Sequence, residues 1–113
     1  MHGTITREEL RREIEEGGVT VVEALPPMYF EEGHLPGAID VPHDQVRELA
    51  PALLPDRDAR VVVYCASTAC QNSGIAAATL VAMGYTEVRE YVEGKQDWVE
   101  AGLPLETGAP AAV

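Results

Sequence analysis

The chain reads as an α/β protein, a mainly parallel sheet covered by helices on both faces, and three observations carry that class. Segments of strand type alternate with segments of helical period along almost the whole of its 113 residues, and right-handed crossovers turn such an order into a parallel sheet. The run Val61-Val62-Val63-Tyr64 is apolar at every position, as expected of a strand buried on both faces. Glycine and proline fall between these segments, at Gly17-Gly18, Pro26-Pro27, Gly33 to Gly37, Pro42 and Gly84, where they mark turns.

The elements follow in order. Thr6 with Glu9 three residues on reads as a capping box, opening a helix whose Leu10 and Ile14 form one apolar stripe. Gly17-Gly18 ends it, and Val19 to Glu23 is a short β-branched strand. Pro26-Pro27 begins a second helix to about Glu32, with Tyr29 and Phe30 as its buried side chains. After the turn cluster Gly33-His34-Leu35-Pro36-Gly37 comes a strand at Ala38 to Val41, stopped by Pro42. Asp44 to Leu54 has Val46, Leu49 and Leu53 near helical spacing. The central strand Val61 to Tyr64 is followed by a helix at Gly74 to Met83, a strand at Val88 to Val92 and a last helix at Lys95 to Ala101. One domain over residues 1–106 accounts for all of this, and 107–113 reads as a frayed tail.

Nineteen acidic against eight basic side chains give a net charge of −11. The basic residues are scattered, so nucleic acid and anionic membranes, which need a positive patch, are poor partners. No apolar run approaches 18 residues and no basic-then-apolar leader opens the chain, so the expectation is a soluble, cytoplasmic protein. Two cysteines, with His2, His34 and His43 as the other soft ligands, lack the paired spacing of a structural zinc site, and no metal is expected.

Chemistry is concentrated at Cys65. It stands at the carboxyl end of the buried strand, in a loop that feeds a helix N-terminus, where open α/β sheets place their ligands. Helix-start amides favour an anion, so a thiol held over them ionises more readily than a free one. A strand-end cysteine also packs well as a small hydrophobe. Ala66 to Asn72, small and polar, has nothing to fill a core and suits instead a loop whose amides face a ligand.

Three segments together resemble the rhodanese-like family of single-domain sulfurtransferases. Val21-Val22-Glu23 through Glu32-Gly33-His34-Leu35-Pro36-Gly37-Ala38-Ile39-Asp40-Val41-Pro42 is similar to its amino-terminal signature. Val61 to Gly84 resembles its active-site region, and Gly94-Lys95-Gln96-Asp97-Trp98 with Ala101-Gly102-Leu103-Pro104 its carboxyl-terminal signature. The resemblance runs from about Ile5 to Glu106 and implies a five-stranded parallel sheet. It also implies sulfane-sulfur transfer: Cys65 attacks a small donor such as thiosulfate, holds the outer sulfur as a persulfide, and passes it to a thiol or protein acceptor. No cofactor is implied. The amides of Ala66, Ser67, Thr68, Ala69, Cys70, Gln71, Asn72 and Ser73 would cradle the persulfide, with no side chain as general base.

The chain departs from the family's commonest pattern in three places. Glu23-Ala24 replaces the usual Asp-Arg pair, which alters an ion pair there. The loop after Cys65 is about two residues longer than the commonest form and contains no arginine, so an anionic donor meets no cation in it, and the phosphatases and arsenate reductases of this fold are disfavoured. Cys70 adds a second loop thiol, a possible resolving partner for Cys65, which keeps open a redox or sensor protein with a Cys65–Cys70 disulfide. A catalytically idle binding module is the remaining alternative. Among other residues, His34 is expected to bond backbone and fix its turn, Trp98 to plug the core, His43 to lie at the surface, and Ser67, Thr68 and Ser73 to serve as anion donors or as caps.

Overall fold

A computed structural model describes residues 2–109. It contains β1 (Gly3–Thr4), α1 (Arg7–Glu16), β2 (Val19–Glu23), α2 (Pro27–Glu32), β3 (Ile39–Asp40), α3 (Val46–Leu53), β4 (Arg60–Tyr64), α4 (Asn72–Ala82), β5 (Glu87–Tyr91) and α5 (Gly94–Glu100). The five strands form one sheet in the order β1-β5-β4-β2-β3, and every pairing is parallel. Thr6 caps α1 with both hydrogen bonds of a capping box in place, Thr6 Oγ1 accepting from the Glu9 amide and Glu9 accepting from the Thr6 amide.

Strand alternation divides the core in two. Val22, Val61, Val63 and Val88 face α3 and α4, where Val46, Ala50, Ala76, Ala77 and Leu80 complete one cluster. Val21, Val62, Tyr64 and Tyr91 face the other way, against Leu10 of α1, Phe30 of α2 and Trp98 of α5. Cys65 continues the alternation of β4, so its side chain turns to the α4 side while Tyr64 turns toward α5.

Three differences from the sequence reading stand out. β1 escapes it because two residues carry no periodicity; the pairing of Gly3 with Arg89 and Thr4 with Glu90 makes them a strand. Tyr29 is exposed and Phe30 buried, since neighbours on a helix point about 100° apart and on this short helix only Phe30 faces the sheet. α3 starts at Val46 rather than Asp44, and carries Pro51. Of the tail, only 107–109 lie within the described residues; the rest falls outside them.

Candidate active site

Cys65 follows the last residue of β4 and is 1% exposed. It lies beside the point where the sheet order reverses, the crevice at which open α/β folds bind ligands. The loop turns back at once: the Cys70 amide donates to Ser67 O at 3.0 Å, and Cys65 and Cys70 are joined by a disulfide across a Cα–Cα distance of 6.3 Å. The Cys70 amide is therefore spent within the loop and is not free to cradle an anion. Ala66, Thr68, Ala69 and Gln71 are exposed, Ser67, Cys70 and Asn72 half-buried.

Ser73 departs from its expected role. The cap position of α4 belongs to Gln71, which makes no side-chain cap bond. Ser73 is buried inside the first turn, its Oγ 3.4 Å from Cys65 Sγ and donating to Glu90 Oε2 at 2.7 Å. Glu90 Oε1 in turn lies 3.1 Å from His2 Nε2. Sequence reasoning missed Glu90 and His2, because they reach the site from β5 and from the segment before β1, far from Cys65 in the chain.

The start of α5 closes the site from the other side. Lys95 and Gln96 donate their amides to Cys65 O and Ala66 O, each at 2.9 Å. Behind the loop, on the opposite face of the sheet, the ends of three strands carry a buried polar cluster. Tyr64 Oη donates to Glu23 Oε1 at 2.6 Å and accepts from the Leu35 amide. Lys95 Nζ reaches both Glu23 Oε1 and Tyr29 O at 3.0 Å. Glu23 is thus paired with a cation from α5. Burial and the neighbouring Glu23 charge push the Asp40 carboxyl up to about 7, against the pull of Lys95. Burial, followed by the Glu23 charge and hydrogen bond, drives the Tyr64 phenol far above its ordinary range.

His34 Nδ1 meets Phe30 O at 2.8 Å and its ring stacks on Phe30, so the imidazole fixes the turn by bonding backbone. Trp98 is buried and donates from Nε1 to Pro104 O. His43 is half-buried ahead of α3, its Nδ1 without a partner. Beside the loop lies a depression of about 250 Å³ lined by Thr68, Glu93, Gln96, Asp97 and Glu100. No helix among the described residues is long and apolar enough to cross a membrane.

Comparison with known proteins agrees with this geometry. The chain is 38% identical over 106 residues to an HTH-type transcriptional regulator from Mycobacterium tuberculosis, a match covering 94% of this chain and 46% of the regulator. It is 36% identical over 67 residues to the thiosulfate sulfurtransferase PspE of Escherichia coli, covering 59% of this chain and 62% of that protein. The chain thus spans less than two thirds of either relative. Among solved structures, thiosulfate sulfurtransferase from Pseudomonas aeruginosa superposes with a TM-score of 0.85 at 25% identity, covering 99% of this chain and 22% of that one. The rhodanese-like domain model matches residues 6–101, and the chain belongs to the rhodanese-like domain family.

Proposed function

We propose that the protein is a sulfurtransferase or sulfur carrier that moves sulfane sulfur through a persulfide on Cys65. The observation that carries this reading is the placement of Cys65, buried at the end of the central strand with its loop turning toward α4. In the first step the Cys65 thiolate attacks the outer sulfur of a donor such as thiosulfate; the new S–S bond forms as sulfite leaves with the electron pair. An acceptor thiolate, free or on a protein, then takes the outer sulfur, and the pair returns to Cys65 Sγ. The thiosulfate sulfurtransferase relative supports the reaction class. The net charge of −11 argues against nucleic acid or an anionic membrane as partner.

This scheme gives Cys70 the part of a resolving thiol. Its thiolate can attack Sγ of the Cys65 persulfide, expelling hydrosulfide and leaving the Cys65–Cys70 disulfide, which a thiol reductant of the cytoplasm reopens. The same disulfide favours a second reading, a redox or sensor protein in which oxidation itself is the output. The regulator among the relatives is compatible with that role. Intact mass of the reduced protein after thiosulfate treatment separates the two. Addition of one sulfur atom supports transfer, whereas conversion to the disulfide with no sulfur-bearing species at any time supports the sensor; no change at all leaves a catalytically idle module.

A further inference from the structure

The side chain that touches Cys65 Sγ is polar but already committed. Ser73 has one hydroxyl proton, and the 2.7 Å bond to Glu90 Oε2 uses it. Toward the sulfur, 3.4 Å away, Ser73 presents only lone pairs. Such a neighbour accepts from a thiol S–H and tolerates a neutral sulfur, but it offers a thiolate no hydrogen bond.

Glu90 reinforces this electrostatically. A Cβ built on Gly74 would stand 3.7 Å from both of its carboxylate oxygens, so the carboxylate lies over the first turn of α4, the end of the helix that favours an anion. Its negative charge thus lies within one bridging side chain, Ser73, of Cys65 Sγ. The remaining charged groups around the site do not cancel it. From α5, Lys95 gives Cys65 only its backbone amide, its ammonium being engaged by Glu23 and Tyr29 O on the far face of the sheet with Tyr64 and Asp40 nearby. From the N-terminal segment, His2 meets the other oxygen of Glu90 and not the one that holds Ser73.

We propose that Glu90, acting through Ser73, is a positioning residue that disfavours charge on Cys65 Sγ and biases it toward its neutral forms: the thiol, the disulfide and the inner sulfur of a persulfide. Charge on a persulfide resides on the outer sulfur rather than on Sγ, the atom that Ser73 touches, so the arrangement opposes the bare thiolate above all. A sulfur held this way is a stronger nucleophile once ionised and a poorer leaving group, which suits a protein that retains sulfur or stays oxidised until a partner draws it off. The assignment rests on Cys65 being the reacting thiol.

The test follows alkylation of Cys65 by iodoacetamide in the reduced protein, with peptide mass distinguishing Cys65 from Cys70, as a function of pH. No sulfur donor is involved, so this result and the sulfur-loading result can fail independently. Glu90→Gln and Glu90→Ala, which remove the charge with different side-chain volumes, should each lower the alkylation midpoint by about one pH unit, a tenfold gain in thiolate below the midpoint. Both should also shift the equilibrium with dithiothreitol toward the dithiol. A midpoint unmoved or raised in Glu90→Ala, which removes both the charge and the acceptor that holds the Ser73 proton, would overturn the proposal.

Discussion

A Cβ on Gly94 would stand 2.6 Å from the carbonyl oxygen of Cys65, with Ser67 N at 2.9 Å and Ala66 C at 3.0 Å. Gly94 also has φ +71°, a conformation that side chains resist. The start of α5 is thus pressed against the backbone of the loop, and two α5 amides hold it there. Gly94→Ala should destabilise the protein by roughly 2 kcal/mol or more, from overpacking and backbone strain together. Chemical denaturation measures the loss, and sulfur loading under conditions where the variant is folded should still fall, since the loop must move to admit the methyl group.

Glu23 is fully buried and depends on Lys95 and Tyr64 for its partners. Removing one side of a buried ion pair leaves an uncompensated charge, so Lys95→Met should cost about 3 kcal/mol or more. Adding Glu23→Gln removes the orphaned charge while keeping an acceptor for Tyr64, and the double variant should recover part of that loss. Equal stability of the single and double variants in denaturant titrations would show that Lys95 does not neutralise Glu23.

Asp40 supplies a pH dependence with a definite sign. Its folded carboxyl titrates at about 7 against an ordinary 3.8, so between these values the folded state holds a proton that the unfolded chain has lost. Stability from this group is therefore present at about pH 4 and declines as pH rises toward 7, by up to about 1.4 kcal/mol per pH unit. Asp40→Asn should remove that slope, and the difference between the two proteins' denaturant midpoints across this range reads it directly.

Thiosulfate must approach a strongly acidic protein. The depression beside the loop carries Glu93, Asp97 and Glu100, within a chain of net charge −11. Repulsion of an anionic donor is screened as the Debye length shrinks, to about 10 Å at 0.1 M salt. The rate of sulfur loading from thiosulfate should accordingly rise or hold with ionic strength from low values. A steep fall would instead reveal a positive path that guides the donor.

What was legible in the sequence was what local pattern encodes. The unbroken apolar run Val61 to Tyr64 located the central strand and hence Cys65, and Thr6 with Glu9 located the start of α1 together with its capping box. Proximity across the sheet was not legible. Glu90 reaches Ser73 because β5 pairs with β4, His2 reaches Glu90 because β1 pairs with β5, and Lys95 reaches Glu23 because α5 folds back over the strand ends. The place of Ser73 before the helical run at Gly74 suggests a cap, whereas the helix begins at Asn72, two residues earlier, and turns the Ser73 hydroxyl inward. The spacing of Cys65 and Cys70 allowed a disulfide without requiring it; the turn from Ser67 to Cys70 brings the two together.

The most direct test of the account is the position and lifetime of bound sulfur, read by peptide mass after brief thiosulfate treatment of the reduced parent, Cys65→Ser and Cys70→Ser. One added sulfur atom should be found on the Cys65 peptide of the parent, be absent from Cys65→Ser, and persist longer in Cys70→Ser, where nothing expels it as sulfide. Sulfur on Cys70, loading that survives Cys65→Ser, or no added sulfur in any of the three proteins would contradict the assignment of Cys65 as the sulfur-bearing residue.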